Sequence, residues 1–196
     1  MTVFGPTKRG VNYPDYVQPK PRAPFTLHQL EDRIRTCTHC PPGTKELGWG
    51  YVNQIMFIGQ GPALSNTDGL RGTSDFDKFF IPLVLKAKIN KPNFYFTNIV
   101  KTPVSRVTQA MITHGGTHVK DEILIVKPKI IIALGAYASS WADTVGLRCR
   151  RMVHPSATRY GSISEDEWVK QLVVLTSKFI NKLYARHREG LPQQEE

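Results

Sequence analysis

Apolar positions in this chain alternate between two rhythms. Gln54–Gly59, Phe94–Val100 and Lys129–Leu134 are apolar at nearly every position and read as strands buried on both faces, with Cys149–Val153 a fourth, shorter one. Helical spacing fills the gaps. Asp75–Lys88 carries Phe76, Phe79, Phe80 and Leu83 on one side, Thr117–Val126 places Val119, Ile123 and Val126 for burial, and Ala136–Thr144 begins just after Gly135. A last helix is capped by Ser164 and Glu167, and Trp168, Leu172, Leu175, Phe179 and Leu183 form its stripe. It stops before Gly190 and Pro192. Upstream, Thr26 and Gln29 make a capping box for a short amphipathic helix bearing Leu27, Leu30 and Ile34.

Strands alternating with helices predict an α/β fold, a three-layer α/β/α sandwich around a short central parallel sheet. Ligands of such sheets bind beyond the carboxyl ends of the strands. Residues 1–24 hold Pro6, Pro14, Pro19, Pro21 and Pro24 among Lys8, Arg9, Lys20 and Arg22, which predicts an extended basic arm. Residues 25–188 read as a single domain without internal repeats, and 189–196 as a disordered tail.

Composition narrows the class. A chain of 196 residues, 40% hydrophobic, suits one core. No apolar run approaches the ~20 residues needed to span a bilayer. The start, MTVFGPTKRG, has no apolar h-region, so neither a signal peptide nor a membrane partner is expected. Three cysteines do not make a disulfide framework and fit a cytoplasmic location. The formal charge of +10 favours a polyanionic partner.

Two segments carry the candidate chemistry. Ile55–Ala63, IMFIGQGPA, is a strand running into a tight turn that presents backbone N–H groups. Val153–Arg159, VHPSATR, places His154 before a proline at another strand end. A hydrogen-bond donor facing a nest of amides suits a reaction in which negative charge develops on a leaving group. The Rossmann alternative would need G-x-G-x-x-G; Gly59-Gln60-Gly61 is followed by Pro62 and no third glycine.

Together with TNIVK at Thr97–Lys101 and IIIALG at Ile130–Gly135, these segments resemble the uracil-DNA glycosylase superfamily. The resemblance implies a monofunctional DNA glycosylase, acting as a monomer on DNA, that flips a nucleotide out and leaves an abasic site. It implies that His154 stabilises the departing base, helped by amides around Gln60, and that Gly59, Gly61, Pro62, Ala63, Leu70 and Asn98 hold that base. Asn98 would read the pyrimidine edge, or else cap the following loop. Lys101 and Ser156 would contact DNA phosphates, and Arg159 or Tyr160 would fill the space the flipped base leaves; the plainer roles are a solvated lysine, a turn serine and, for Arg159 and Tyr160, phosphate contacts alone. Arg148, Arg150 and Arg151 would add a basic surface nearby, with Arg150 and Arg151 on opposite faces of their strand.

The chain departs from that family in three places. Uracil-specific members carry an acid in the glycine-rich turn to position water; here Gln60 would orient it by its amide, or Asp68 or Asp75 would supply a carboxylate, ahead of Asp77. Asp68 lies in Asn-Thr-Asp-Gly, also a good turn sequence. Secondly, Ala63 is small, and Leu70 replaces the stacking phenylalanine of the iron–sulfur members. That implies room for a C5-modified pyrimidine, such as hydroxymethylated or glycosylated cytosine in phage DNA, and a defence role; plain uracil in base-excision repair, or a catalytically inactive module binding modified DNA, are the alternatives. Thirdly, Cys37-Thr-His-Cys40 resembles the start of the iron–sulfur enzymes, but Thr102 stands where that family has its third cluster cysteine and His118 near the place of the fourth. A 4Fe–4S cluster is therefore not expected. His114 and His118, spaced i, i+4 at a helix start, complete with Cys37 and Cys40 a set suited to structural zinc, or else are surface histidines beside relict thiols.

Overall fold

The structure is a computed structural model that describes residues 26–62 and 75–188. The expected arm at 1–24, the tail at 189–196 and the candidate residues Ala63, Asp68 and Leu70 lie outside the described residues, as does the side chain of Asp75.

Helix α1 (Leu27–Arg35) opens with the expected capping box between Thr26 and Gln29. Strand β1 (Trp49–Gly50) and strand β2 (Ile55–Gly59) follow, then α2 (Asp75–Lys86), β3 (Phe94–Asn98) and α3 (Gln109–Val126). The chain continues through β4 (Ile130–Leu134), α4 (Gly135–Thr144), β5 (Arg150–Met152), α5 (Ser156–Arg159) and α6 (Glu165–Arg188). The sheet runs β1-β3-β2-β4-β5. Its four longer strands are parallel, and β1 pairs antiparallel with β3.

Period-two alternation divides β2, β3 and β4 between two cores. Ile55, Phe57, Phe94, Phe96, Ile132 and Leu134 face α2 and α6, where they meet Phe80, Leu83, Trp168 and Leu172. Met56, Ile58, Tyr95 and Ala133 face α3 and α4, against Val119, Val126, Ala138 and Trp141. Both sheet faces are covered, giving the three layers that the apolar strands demand.

Strand order also fixes where a site can form. From β2 the chain moves to one side, to β3, and then crosses back to β4 on the other side. The carboxyl ends of β2 and β4 therefore flank a topological switch point, where departing connections leave a crevice.

Three elements differ from the sequence reading. Helix α3 begins eight residues earlier than expected, capped by Thr108, whose hydroxyl accepts from the Met111 N–H at 3.3 Å. Gly115-Gly116 had masked the helical pattern. Their lack of side chains lets the helix approach: an added Cβ would lie 2.1 Å from the Ile99 carbonyl oxygen and 2.0 Å from Trp141 Nε1. The two-residue β1 is too short to show a period. The loop expected after His154 opens as the single turn α5.

Candidate active site and thiol–imidazole cluster

His154 follows β5 and faces the turn that follows β2. Together with Ser156, Gln60, Gly61 and Pro62 it lines one cleft of about 330 Å³ at the switch point, with Tyr137 and the start of α4 on its rim. The imidazole is tightly placed. It packs on the Phe76 ring, with centroids 5.7 Å apart. Gly135, at φ +81°, lets it in: a Cβ there would lie 3.1 Å from that of His154.

Its hydrogen bonds fix the tautomer. The backbone N–H of Ser156 donates to Nδ1 at 3.3 Å, and the Ser156 hydroxyl lies 2.7 Å from the same atom. An N–H can only donate, so Nδ1 is the bare nitrogen and the proton sits on Nε2. Burial pushes the His154 pKa below the ordinary histidine value, which favours this neutral form.

Other candidates are placed as follows. Neither Gly59 nor Asn98 is among the residues lining the cleft; both are buried, opposite each other in the β2–β3 register. Asn98 Nδ2 donates to Glu46 at 3.2 Å. Tyr160 is 82% exposed at the end of α5, and the Arg159 guanidinium lies 5.5 Å from the centroid of the Phe79 ring. Arg150 and Arg151 are both exposed, and Arg151 pairs with Asp143.

Lys101 requires a correction. Expected at a DNA phosphate, it is fully buried and its ammonium donates to Thr97 Oγ1 at 2.7 Å and to Glu122 Oε2 at 2.9 Å. The Thr97 hydroxyl in turn donates to the same carboxylate at 2.7 Å. A charge held in this way cannot reach a phosphate at the surface; it neutralises a buried acid.

Cys37 and Cys40 follow α1, while His114 and His118 project from the middle of α3 rather than from its start. Cys37 Sγ lies 3.1 Å from His114 Nε2, and Cys40 Sγ 3.6 Å from His118 Nε2. All four ligand atoms fall within 4.8 Å of one another, so the group could hold a metal ion. Tetrahedral zinc with ordinary bond lengths needs donor separations of about 3.4–3.8 Å, so only small side-chain adjustments are required. Burial, then Cys37, pushes the Cys40 thiol up to about 12; burial, then Lys101, pushes His118 down to about 3. An ion pair between Arg33 and Asp121 ties α1 to α3 beside the cluster.

Sequence reasoning missed two acids. Glu122 shares a helical face with Val119 and Val126, so an acid at an apolar spacing was the available signal. Glu46 lies in an irregular loop and carried no periodic signal. Among the described residues no helix is long and apolar enough to cross a membrane.

No curated protein matches the sequence significantly. The family model described as the uracil DNA glycosylase superfamily matches residues 50–184, which include β2, β3, β4 and His154. Members of that superfamily are DNA glycosylases, hydrolases that act on DNA. With this match over most of the folded domain, the chain belongs to the uracil-DNA glycosylase superfamily.

Proposed function

We propose that this protein is a monofunctional DNA glycosylase that hydrolyses the N-glycosidic bond of an everted base and leaves an abasic site. The observation that carries this reading is the convergence of His154 and the Gln60–Pro62 turn on one cleft at the switch point. As the bond breaks, the sugar gains oxocarbenium character and the base departs with negative charge. A neutral imidazole holding its proton on Nε2 donates to that charge, and one such donor is worth roughly 3–4 kcal/mol. Ser156 keeps Nδ1 occupied, so the proton stays where it is used. Gln60 is the described side chain suited to orienting water in the cleft. No lysine is among the described lining residues, which supports hydrolysis without a Schiff base.

The substrate we favour is a pyrimidine enlarged at C5, on the strength of the small Ala63 and of Leu70 in place of a ring. The set Cys37, Cys40, His114 and His118 suits zinc, with two thiolates and two imidazoles; bound there, the ion would join the segment after α1 to α3 and take no part in the hydrolysis. A second reading, a binding module without catalysis, draws on the lack of any carboxylate among the described residues lining the cleft.

The test is alkaline cleavage of oligonucleotides carrying single uracil, 5-hydroxymethylcytosine or glucosylated hydroxymethylcytosine residues. Strand breaks with the wild type that vanish in His154→Ala support the enzyme. Breaks at uracil alone reject the C5 assignment, and tight binding without breaks at any base favours the module.

A further inference from the structure

Glu46 is an acid that the chemistry above does not use. It is only 7% exposed, although it lies in the loop between α1 and β1. Its Oε2 accepts from Asn98 Nδ2 at 3.2 Å. The loop is pinned around it: the Glu46 N–H donates to the Lys101 carbonyl at 2.6 Å, and the Thr102 hydroxyl donates to the Pro41 carbonyl at 3.1 Å. On the other side, Asn98 Oδ1 fills the space beside Gly59, where a Cβ would lie 2.3 Å from it.

A carboxamide turned through half a revolution exchanges donor and acceptor with almost no change of shape. An ionised carboxylate only accepts, so it admits the NH2 group and repels the oxygen. We infer that Glu46 locks the Asn98 carboxamide in one orientation and thereby restricts the enzyme to one of the two pyrimidine edges. This rests on the glycosylase reading, with Asn98, which stands beside Gly59 next to the Gln60 turn rather than on the lining of the cleft, as the residue that reads the base. A uracil-type edge offers a donor at N3 and an acceptor at C4; a cytosine-type edge offers the reverse. A fixed amide pairs with one of them, whereas a turning amide serves both. Glu46 is a positioning residue that touches no substrate itself.

Glu46→Gln is the informative variant, because a neutral carboxamide of the same shape can accept from Asn98 or donate to it. The experiment compares kcat/KM on oligonucleotides bearing 5-hydroxymethyluracil or 5-hydroxymethylcytosine, which differ only at the N3–C4 edge. The wild type should prefer one, and Glu46→Gln should narrow that preference by at least about tenfold, the cost of one mismatched buried hydrogen bond, with Tm little changed. A wild type that excises both equally, or a variant that is active with its preference intact, overturns the lock. A second readout needs no turnover: the side-chain NH2 resonances of Asn98 in 15N-labelled protein should shift and broaden in Glu46→Gln. Unchanged resonances overturn the lock whatever the activity. If they respond but no base is released from either oligonucleotide, the amide lock is upheld and the glycosylase reading is what fails.

Discussion

Ser156 meets His154 twice, through its backbone N–H at 3.3 Å and its hydroxyl at 2.7 Å, both at Nδ1. The two contacts are unequal under mutation. Ser156→Ala keeps the backbone donor, so the tautomer survives and the excision rate should fall by about tenfold at most, one neutral hydrogen bond. His154→Ala removes the donor to the departing base and should lower kcat by about 10²–10³-fold. Single-turnover excision by both variants on whichever substrate is cleaved checks the ranking.

The pH response follows from the burial of His154. Its pKa is lowered by loss of solvation, so between the ordinary value near 6.5 and its folded value the unfolded chain binds more protons than the native one. The contribution of this group to stability is fully present above about pH 6.5 and is lost as the pH falls towards the folded value. Excision should accordingly show no acid limb at 6.5 from this residue. A pH–rate profile, with a titration of the His154 Nε2–H by NMR, measures both.

Loss of Lys101 should damage the fold rather than DNA affinity. Lys101→Met leaves the Glu122 carboxylate buried without its cation, a cost of about 3–5 kcal/mol in denaturant unfolding. The slope of DNA affinity against salt concentration should stay the same, since no phosphate contact is removed. A slope reduced by about one unit would return Lys101 to the DNA surface.

Metal removal should loosen the junction of α1 with α3. Elemental analysis is expected to give one zinc per chain, and stripping it with a chelator should lower Tm by about 10 °C, as a loss of about 4 kcal/mol would in a chain of this length. Cys40→Ser should reproduce the lower Tm and abolish the response to chelator.

Much of this architecture was legible from spacing. Strands such as Ile55–Gly59 and Ile130–Leu134 announce themselves because burial on both faces leaves no polar position. The Gln60 turn was legible because it follows such a strand, and a parallel sheet gathers strand ends at one edge; His154 follows the short β5, whose Arg150 and Arg151 are exposed, and was legible from its His-Pro-Ser segment instead. Lys101 was misread for the opposite reason. Its partner Glu122 lies 21 residues away on α3, and a lysine followed by a loop looks solvated until the helix closes over it. Glu46 was invisible for a similar reason, since its bond to Asn98 spans 52 residues and neither neighbourhood hints at the other. Pairings set by tertiary approach leave no local period to read.

The two adjacent glycines of α3 carry a mechanical consequence. A methyl group at Gly115 would strike the main chain at Ile99 and one at Gly116 the indole of Trp141, and the helix would have to lift from the end of β3 or from α4. His118 and Glu122 ride on it one turn apart, so such a lift would draw an imidazole from its thiol and a carboxylate from its ammonium in the same movement. Two features with no evident connection along the chain thus share a single point of failure, and the smallest side chain of all is what keeps both intact.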